Sequence, residues 1–384
     1  MMVIDTLLRW FKENERQKMR HVRRHYLPME EVRRRVDEAD EVLLESCAAT
    51  PPLRIGIVRD SHPVGDYVRP NDSWLRYERF CRRNGLDYGF YDIASSDWQR
   101  QAAQYDIIVW HTPSTPAVQA MAESKIYVLE RMLGKSCFPS FDELWQYEHK
   151  SRASYLYEAL GLPAIPTFAT NSREEALRYA AQATYPLISK IDTASKSSGV
   201  RKIATAAQAK RLIRRIFTDR SGASTRWHYV RQKDYLYLQP FVDDATFDLR
   251  IFVVDDKAFG YYRYPAAGDF RASGSGICVK KELPEEAIRL AVDTVKRLGS
   301  RLMSVDMLYS PKQGRYLIIE TSLFNRIDTC EQAVVDGVAG YYDVSDPNAI
   351  RFRPGRFWLQ ELSLKVVVEE WLRRHASERS PEAE

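Results

Sequence analysis

The spacing of short apolar runs constrains the fold more than any other feature of the sequence. Between residues 53 and 145, strand-like runs such as Leu53–Val58 alternate with segments of helical spacing such as Trp74–Arg83. Strands that alternate with helices pair in parallel, and the helices cover both faces of the sheet. Beyond Tyr235 the predicted strands follow one another, with one long predicted helix at Pro284–Leu298. The sequence therefore predicts a doubly wound parallel-sheet α/β lobe followed by an α+β lobe.

The other predicted elements and the domain limits follow from the same pattern. Further strands are predicted at Leu86–Ile93, Tyr105–Trp110, Lys135–Pro139, Pro186–Lys190, Tyr235–Val242, Thr246–Asp255, Lys257–Tyr264, Gly276–Lys280, Ser304–Tyr309 and Tyr316–Thr321. Further helices are predicted at Ser95–Gln104, Ala117–Leu133, Glu148–Leu160, Thr205–Phe217 and Trp358–His375. We expect a helical N-terminal extension at 1–52, an N-terminal lobe at 53–147, a central lobe at 148–235, a C-terminal lobe at 236–350, and a helix with a disordered tail at 351–384.

Composition limits the classes of protein to which the chain can belong. Its 384 residues exceed one ordinary core, and no apolar run approaches the ~20 residues of a membrane span. A net charge of +5 is too small to indicate nucleic-acid binding. The five cysteines lack metal-type spacing and fit a reducing cytoplasm. The basic residues within 1–25 are interpreted as a solvated helix face, with an interfacial membrane helix as the alternative.

Asp306 and Glu320 form the most informative pair of residues. The segment Ser304–Ser322 is predicted to be a hairpin with the loop Pro311–Arg315, which places Asp306 directly opposite Glu320. This register also pairs Ser310 with Tyr316 and Ser304 with Ser322, and gives one apolar face to Val305, Met307, Leu317 and Ile319. Two carboxylates facing each other across a sheet repel, and a hard divalent cation with oxygen ligands removes the repulsion. The alternative is that the pair is offset or that each carboxylate is simply solvated.

Lys190 ends an otherwise apolar predicted strand, where a buried ammonium group is costly unless an anion meets it. The loop that follows, Ser195–Gly199, offers hydroxyl and backbone N–H groups to phosphate oxygens. A surface turn would have the same composition. Further on, the apolar strand ending at Gln239–Asp244 could seat a purine beside a ribose-binding carboxylate, or could be an ordinary edge strand.

Two arginines complete the candidate set, because the guanidinium fork suits phosphoryl and carboxylate groups. Arg250 shares a strand face with Asp248, and Arg271 precedes a glycine-rich turn. Each arginine alone is more often part of a surface ion pair than a ligand-binding residue.

The order of these pieces along the chain resembles the ATP-grasp superfamily, nearest its ribosomal-protein glutamate ligase and glutathione synthetase branch. The resemblance covers about residues 53–330 and rests on Lys150, Pro186–Lys190, Ser195–Gly199, Gln239–Asp244, Asp248–Arg250, Gly268–Arg271, Asp306 and Glu320. It implies an ATP-grasp fold in the central and C-terminal lobes. It also implies ATP with two Mg²⁺ ions, for which Mn²⁺ can substitute.

The resemblance further implies a role for each site residue. ATP would contact Lys150, Lys190, Ser195, Ser197, Ser198, Gly199, Gln239, Phe241, Val242, Asp243, Asp244 and Asp248. Arg250 and Arg271 would act in catalysis by holding the transferred phosphate or the acceptor carboxylate. Asp306, Glu320 and Ser322 would bind the metal. The sequence departs from the family pattern at Ser322, where an asparagine is usual, so Asn325 is the alternative third ligand.

The implied reaction is ATP-dependent carboxylate–amine ligation through an acylphosphate. A kinase acting on a hydroxyl and an ATP-binding protein without turnover are the alternatives. The expected partners are ATP and small carboxylate and amine substrates. An amino acid joined to a small carboxylate or sugar acid is one substrate pair. Nucleic acid is not expected, and a homo-oligomer stays open.

Overall fold

The computed structural model describes residues 25–45, 52–193, 199–218, 222–224, 230–324, 329–346 and 348–377. Ser195, Ser197, Ser198 and Asn325 lie outside these residues, as do the basic segment before residue 25 and the tail after residue 377. Within the described ranges α-helices span Met29–Val36, Trp74–Arg83, Trp98–Ala102, Pro116–Tyr127, Phe141–Gln146, Lys150–Ala159, Arg173–Gln182, Ala206–Phe217, Glu285–Arg297 and Leu359–Ser377. None of these helices combines the length and apolar character needed to span a bilayer.

Four parallel strands form the N-terminal sheet, in the spatial order Asp87–Phe90, Arg54–Val58, Ile107–Trp110 and Ser136–Phe138. Successive residues of a strand point to opposite faces, so both faces of this sheet are apolar. Ile55 and Ile57 pack with helix Trp74–Arg83, whereas Ile108 packs with helix Pro116–Tyr127, which continues into a π-helical turn. The predicted doubly wound lobe is confirmed.

A four-stranded antiparallel central sheet follows, in the order Phe168–Thr170, Leu236–Pro240, Leu187–Ser189 and Arg201–Ile203. Helices Arg173–Gln182 and Ala206–Phe217 pack with it in one core cluster. The sequence did not predict the first of these helices, because its buried residues are the small Ala176 and Ala180 rather than a stripe of large apolar side chains. The strands Phe168–Thr170 and Arg201–Ile203 were also missed, since they are too short to show alternation, whereas Leu187–Ser189 lies within the predicted strand Pro186–Lys190.

An eight-stranded antiparallel sheet forms the largest layer. Its main path runs Ala333–Val335, Val338–Asp343, Lys257–Arg263, Asp248–Val254, Leu302–Ser310 and Arg315–Ser322, with Cys278–Val279 and Arg351–Pro354 paired at the side. Helix Glu285–Arg297 buries Ala287 and Ile288 in the same cluster as Leu249 and Ile251 of the sheet. Two short antiparallel pairs complete the strands, Leu27–Pro28 with Tyr67–Val68 and Ala223–Ser224 with Arg231–Gln232.

The hairpin that carries Asp306 and Glu320 confirms the predicted pairing of these two residues but corrects its geometry. Ser310 pairs with Arg315 rather than Tyr316, so the loop is one residue shorter than predicted. A β-bulge between Asp306 and Met307 then shifts the register, which places Asp306 opposite Glu320 and Ser304 opposite Ser322. The bulge also changes the faces of the second strand. The core cluster takes Tyr316 and Ile318 beside Val305 and Met307, and the predicted core residue Ile319 lines a cavity instead.

The C-terminal helix Leu359–Ser377 packs on the protein itself. It buries Leu364 and Val368 in the cluster that also contains Trp74 from the N-terminal lobe and Phe252 from the large sheet. The buried guanidinium group of Arg79 donates to both carboxylate oxygens of Glu361 on this helix, at 2.9 and 2.7 Å. The helix therefore joins the N-terminal lobe to the large sheet.

Candidate nucleotide and metal site

A cavity of about 680 Å³ lies between the central sheet and the large sheet. Sites for small molecules and cofactors are typically of this size, roughly 300–1,000 Å³. Lys190 and Gln239 line it from the central sheet, and Arg250 and Glu320 line it from the large sheet. The cavity therefore collects charged side chains from strands that are far apart in sequence.

Most of the site residues predicted from the sequence and described by the structure line this cavity. They are Lys150, Lys190, Gln239, Phe241, Val242, Asp248, Arg250, Arg271, Asp306, Glu320 and Ser322. Gly199, Asp243 and Asp244 are not in the lining. Asp243 accepts from the Lys312 ammonium group at 2.7 Å, and Asp244 accepts from Ser310 and the Lys312 backbone on the hairpin loop. In this structure the two aspartates therefore anchor the loop end of the hairpin that carries Asp306 and Glu320, and ribose binding by either one stays a prediction.

Asp306 lies at the centre of a buried charge network that the sequence did not indicate in full. Arg250 donates to its two carboxylate oxygens at 2.6 and 2.7 Å, and Arg263 donates to Oδ2 at 2.6 Å. Arg263 also binds Asp248. Burial opposes ionisation of Asp306, but the two arginines overcome it and hold the pKa of this carboxyl group below its usual range. Burial raises the pKa of Asp248, which has one arginine partner.

Arg263 was not among the predicted site residues, although the sequence held a signal for it. The strands Asp248–Val254 and Lys257–Arg263 are joined by a two-residue turn at Asp255, which has φ of 51°. A two-residue loop fixes the hairpin register, and that register places Asp248 opposite Arg263.

Two lysines enter the cavity close to Glu320. The Lys150 ammonium group is 3.8 Å from Glu320 Oε1 at the start of helix Lys150–Ala159. Lys190 is only 7% exposed, and its burial lowers the pKa of its ammonium group to about 8, with Glu320 opposing and Lys150 reinforcing the shift. Two ammonium groups at one carboxylate suit a ligand that brings several negative charges, such as a polyphosphate.

Glu148 is a cavity residue that the sequence did not single out. It has φ of 60°, an uncommon backbone conformation for a residue other than glycine. Its Oε2 atom is buried without a hydrogen-bond partner among the described residues. Burial, followed by repulsion from Glu320, raises the pKa of its carboxyl group. Periodicity could not reveal this residue, because it lies in the short connection between helices Phe141–Gln146 and Lys150–Ala159.

Aromatic and polar side chains form another part of the cavity lining. Phe241 meets Phe270 edge to face at 5.7 Å between ring centroids, and the Lys202 ammonium group lies 3.8 Å from the centre of the Phe241 ring. The Gln239 amide donates to Thr167 at 2.8 Å, which fixes its side chain. Arg271 is exposed and bound to Asp269 at 2.7 Å, so it must exchange this partner to hold a substrate.

The oxygen ligands in the cavity fit Mg²⁺. This ion is usually held by one or two carboxylates together with phosphate and water oxygens. Within the described residues no group of three or more His, Cys, Asp and Glu side chains is arranged to hold a metal. A carboxylate has about four acceptor positions, and the arginines use three at Asp306, which leaves one at Oδ1. Asp306 Oδ1, Glu320 and the unpartnered Glu148 Oε2 are therefore candidate ligands, of which one or two would suffice together with phosphate and water oxygens.

Comparison with known proteins agrees with this architecture. The whole fold is similar to the D-alanine–D-alanine ligase of Bacillus anthracis, with a TM-score of 0.51 and 15% identity over 85% of this chain and 99% of that chain. It is also similar to the D-cycloserine synthetase DcsG, with a TM-score of 0.51 and 14% identity over 83% of this chain and 99% of that chain. Residues 184–334 match the family described as the RimK-like ATP-grasp domain.

The chain therefore has an ATP-grasp fold, as the sequence pattern predicted. The chain is 30% identical over 172 residues to the tetrahydromethanopterin:α-L-glutamate ligase of Methanosarcina acetivorans. That match covers 43% of this chain and 51% of the relative, so the chain spans about half the length of the relative.

Proposed function

We propose that the protein is an ATP-dependent carboxylate–amine ligase that forms an amide bond through an acylphosphate. The observation that carries this proposal is the cavity between the two antiparallel sheets, where Lys150 lies beside the carboxylate of Glu320 and the buried Lys190 lines the same space. An ATP-grasp fold and a RimK-like domain support the same class of reaction. The alternatives, a kinase and a nucleotide-binding protein without turnover, would use the same cavity.

The chain's own residues account for binding and charge neutralisation. Lys150 and Lys190 hold the nucleotide phosphates, and the Phe241–Val242 backbone faces the adenine. Arg250 has five N–H donors, of which Asp306 occupies two, so it retains donors for the transferred phosphoryl group. Bound Mg²⁺, held by Asp306 and Glu320, would neutralise charge on the phosphate oxygens.

The reaction then needs two displacements. A carboxylate oxygen of the acid substrate attacks the γ-phosphorus, and the bond to ADP breaks. The amine nitrogen next attacks the acyl carbon, the bond to phosphate breaks, and the amine proton leaves with the phosphate. Positioning and charge stabilisation supply most of the catalysis in phosphoryl transfer, which suits a site of lysines, arginines and carboxylates.

The amine substrate is best sought among amino acids. The relative from Methanosarcina acetivorans is named as an α-L-glutamate ligase, and we propose L-glutamate as the first amine to test. Sugar acids and other small carboxylates are the acids to test. We also propose a cytoplasmic location, because the described cysteines Cys81, Cys137, Cys278 and Cys330 are free thiols, as a reducing compartment allows.

An ADP-release screen of amino acids against small carboxylates and sugar acids, with Mg²⁺ present, tests the function. A ligase releases ADP and phosphate only when both co-substrates are present. ADP release with a phosphorylated product and no amide would establish a kinase instead. Lys190→Ala and Glu320→Ala should each abolish turnover with the fold intact by circular dichroism. The exposed Lys210→Ala and Glu158→Ala serve as matched controls, and unchanged ADP release in either site variant would refute the site.

A further inference from the structure

Glu148 has a backbone conformation that costs stability. It lies between Tyr147, the C-cap of helix Phe141–Gln146, and His149, the N-cap of helix Lys150–Ala159. Its φ of 60° lies in the left-handed region, where a residue with a side chain pays of order 1–3 kcal/mol. Glycine would adopt this conformation freely. A glutamate at such a position suggests that the carboxylate itself is required.

The carboxylate is also incompletely satisfied. Oε2 is buried and has no hydrogen-bond partner among the described residues, although the side chain lines the cavity. An unsatisfied buried polar atom is costly, and more so when it is charged. Among the neighbouring charges, the negative one on Glu320 affects the pKa of Glu148 most, ahead of the positive charges on Lys150 and Arg250. The two glutamates therefore face one cavity with a mutual repulsion.

Other carboxylates in the cavity are differently placed. Asp306 already accepts three hydrogen bonds from Arg250 and Arg263. Lys150, the cation next to Glu320, is expected to turn to phosphate when nucleotide binds. A bound polyphosphate would thus leave Glu148 and Glu320 as the carboxylates that most need a new positive charge.

We propose that Glu148 is a ligand of a divalent cation that it shares with Glu320 beside the nucleotide phosphates. Mg²⁺ commonly takes one or two carboxylates, phosphate oxygens and water, and Glu148 supplies the anionic oxygen that Ser322 cannot. This inference rests on the proposed nucleotide site but not on the amide-forming step. The competing explanation is that Glu148 binds the ammonium group of the amine substrate rather than a divalent cation.

Mn²⁺ is the probe, because its binding to the full-length protein can be measured by electron paramagnetic resonance without catalysis. We compare the wild type, Glu148→Gln and the control Glu158→Gln, each with Mn²⁺ alone and with Mn²⁺ plus ADP. Glu148→Gln keeps the shape and removes the charge, and we expect at least tenfold weaker Mn²⁺ binding or the loss of one ion. Glu148→Asp should restore part of the binding. Glu158→Gln, on the exposed side of helix Lys150–Ala159, should match the wild type.

A second variant separates metal binding from folding. Glu148→Gly relieves the left-handed backbone, so it should melt at or above the wild-type temperature and still lose the Mn²⁺. Unchanged Mn²⁺ affinity and stoichiometry in both variants would overturn the proposal. The proposal would also be overturned if both variants bound Mn²⁺ normally but needed a higher concentration of the amine substrate for saturation. Glu148 would then bind the ammonium group of that substrate.

The same measurements distinguish this inference from the ligase function. In one outcome the wild type binds Mn²⁺ and ADP but forms no amide, and Glu148→Gln no longer binds the ion. This outcome supports Glu148 as a metal ligand and refutes the ligase function. If the wild type forms the amide and the Glu148→Gln variant retains all its Mn²⁺, the role of Glu148 as a metal ligand is refuted and the ligase function is not. A wild type that binds no Mn²⁺ with ADP refutes both.

Discussion

Replacing Lys190 with methionine should make the nucleotide-free protein more stable. Each unit of pKa corresponds to about 1.4 kcal/mol. Burial lowers the pKa of Lys190 from 10.5 to about 8, so its charged form at pH 7 costs about 3 kcal/mol relative to solvent. The structure shows no hydrogen bond or ion pair of this ammonium group with the described residues. Methionine fills a similar volume without a charge, so Lys190→Met should recover up to about 3 kcal/mol.

The pH dependence of this gain gives an internal check. Between pH 8 and 10.5 the unfolded chain binds the Lys190 proton while the folded protein releases it, so wild-type stability rises with pH in this window. The advantage of Lys190→Met should therefore shrink to about 1 kcal/mol near pH 10. Melting temperatures at pH 7 and pH 10 measure both values.

Nucleotide should reverse the order of stability. A ligand at 1,000 times its Kd stabilises the wild type by about 4.1 kcal/mol, which exceeds the gain from the substitution, whereas Lys190→Met should gain much less from ADP with Mg²⁺. The exposed control Lys210→Met should follow the wild type in every condition. A Lys190→Met protein that melts below the wild type at pH 7 without nucleotide would refute the reasoning, and so would a gain that does not depend on pH.

Three further changes probe other parts of the structure. Arg79→Met should lower the free energy of unfolding by about 3–5 kcal/mol, because it leaves the buried Glu361 carboxylate without its cation. The double variant Arg79→Met with Glu361→Leu should recover most of this loss in urea unfolding. Simple additivity of the two single effects would contradict the pairing. Asp306→Asn should lower both the melting temperature and the Mn²⁺ affinity in the presence of ADP, because Arg250 and Arg263 lose their shared carboxylate. An unchanged melting temperature would contradict a stabilising role of this charge network. Phe241→Ala should weaken ADP binding by about 1 kcal/mol, or about fivefold, because the nucleotide loses its contact with an aromatic ring. An unchanged Kd for ADP in calorimetry would contradict this contact.

Sequence reasoning was most successful where the signal is local. Helix Trp74–Arg83 begins and ends where the apolar spacing predicted, and each longer predicted strand overlaps an observed one. The facing of Asp306 and Glu320 followed from the period of two residues in a β-strand. The shorter loop would have offset this pair, and the bulge compensates for it. A bulge cannot be recognised from the apolar pattern, because one inserted residue only shifts the alternation of apolar and polar residues by one position.

Several cavity features depend on contacts that no short pattern encodes. Arg250 binds Asp306 because strands Asp248–Val254 and Leu302–Ser310 are neighbours in the sheet, although about fifty residues separate them in the chain. Glu148 was missed since a single acidic residue in a connection has no periodicity to read.

The sequence by itself determined the order of the lobes, the ATP-grasp resemblance and the identity of the charged residues. Apolar periodicity is set residue by residue, and it survives without knowledge of the partner strand. Only the tertiary structure decided which charges neutralise one another. Asp306 is satisfied by two arginines, whereas Glu148 retains an unpartnered oxygen near Glu320. The energy of a buried charge depends on its solvation and on the distance to its partners, and both are fixed only when distant strands pack around one cavity.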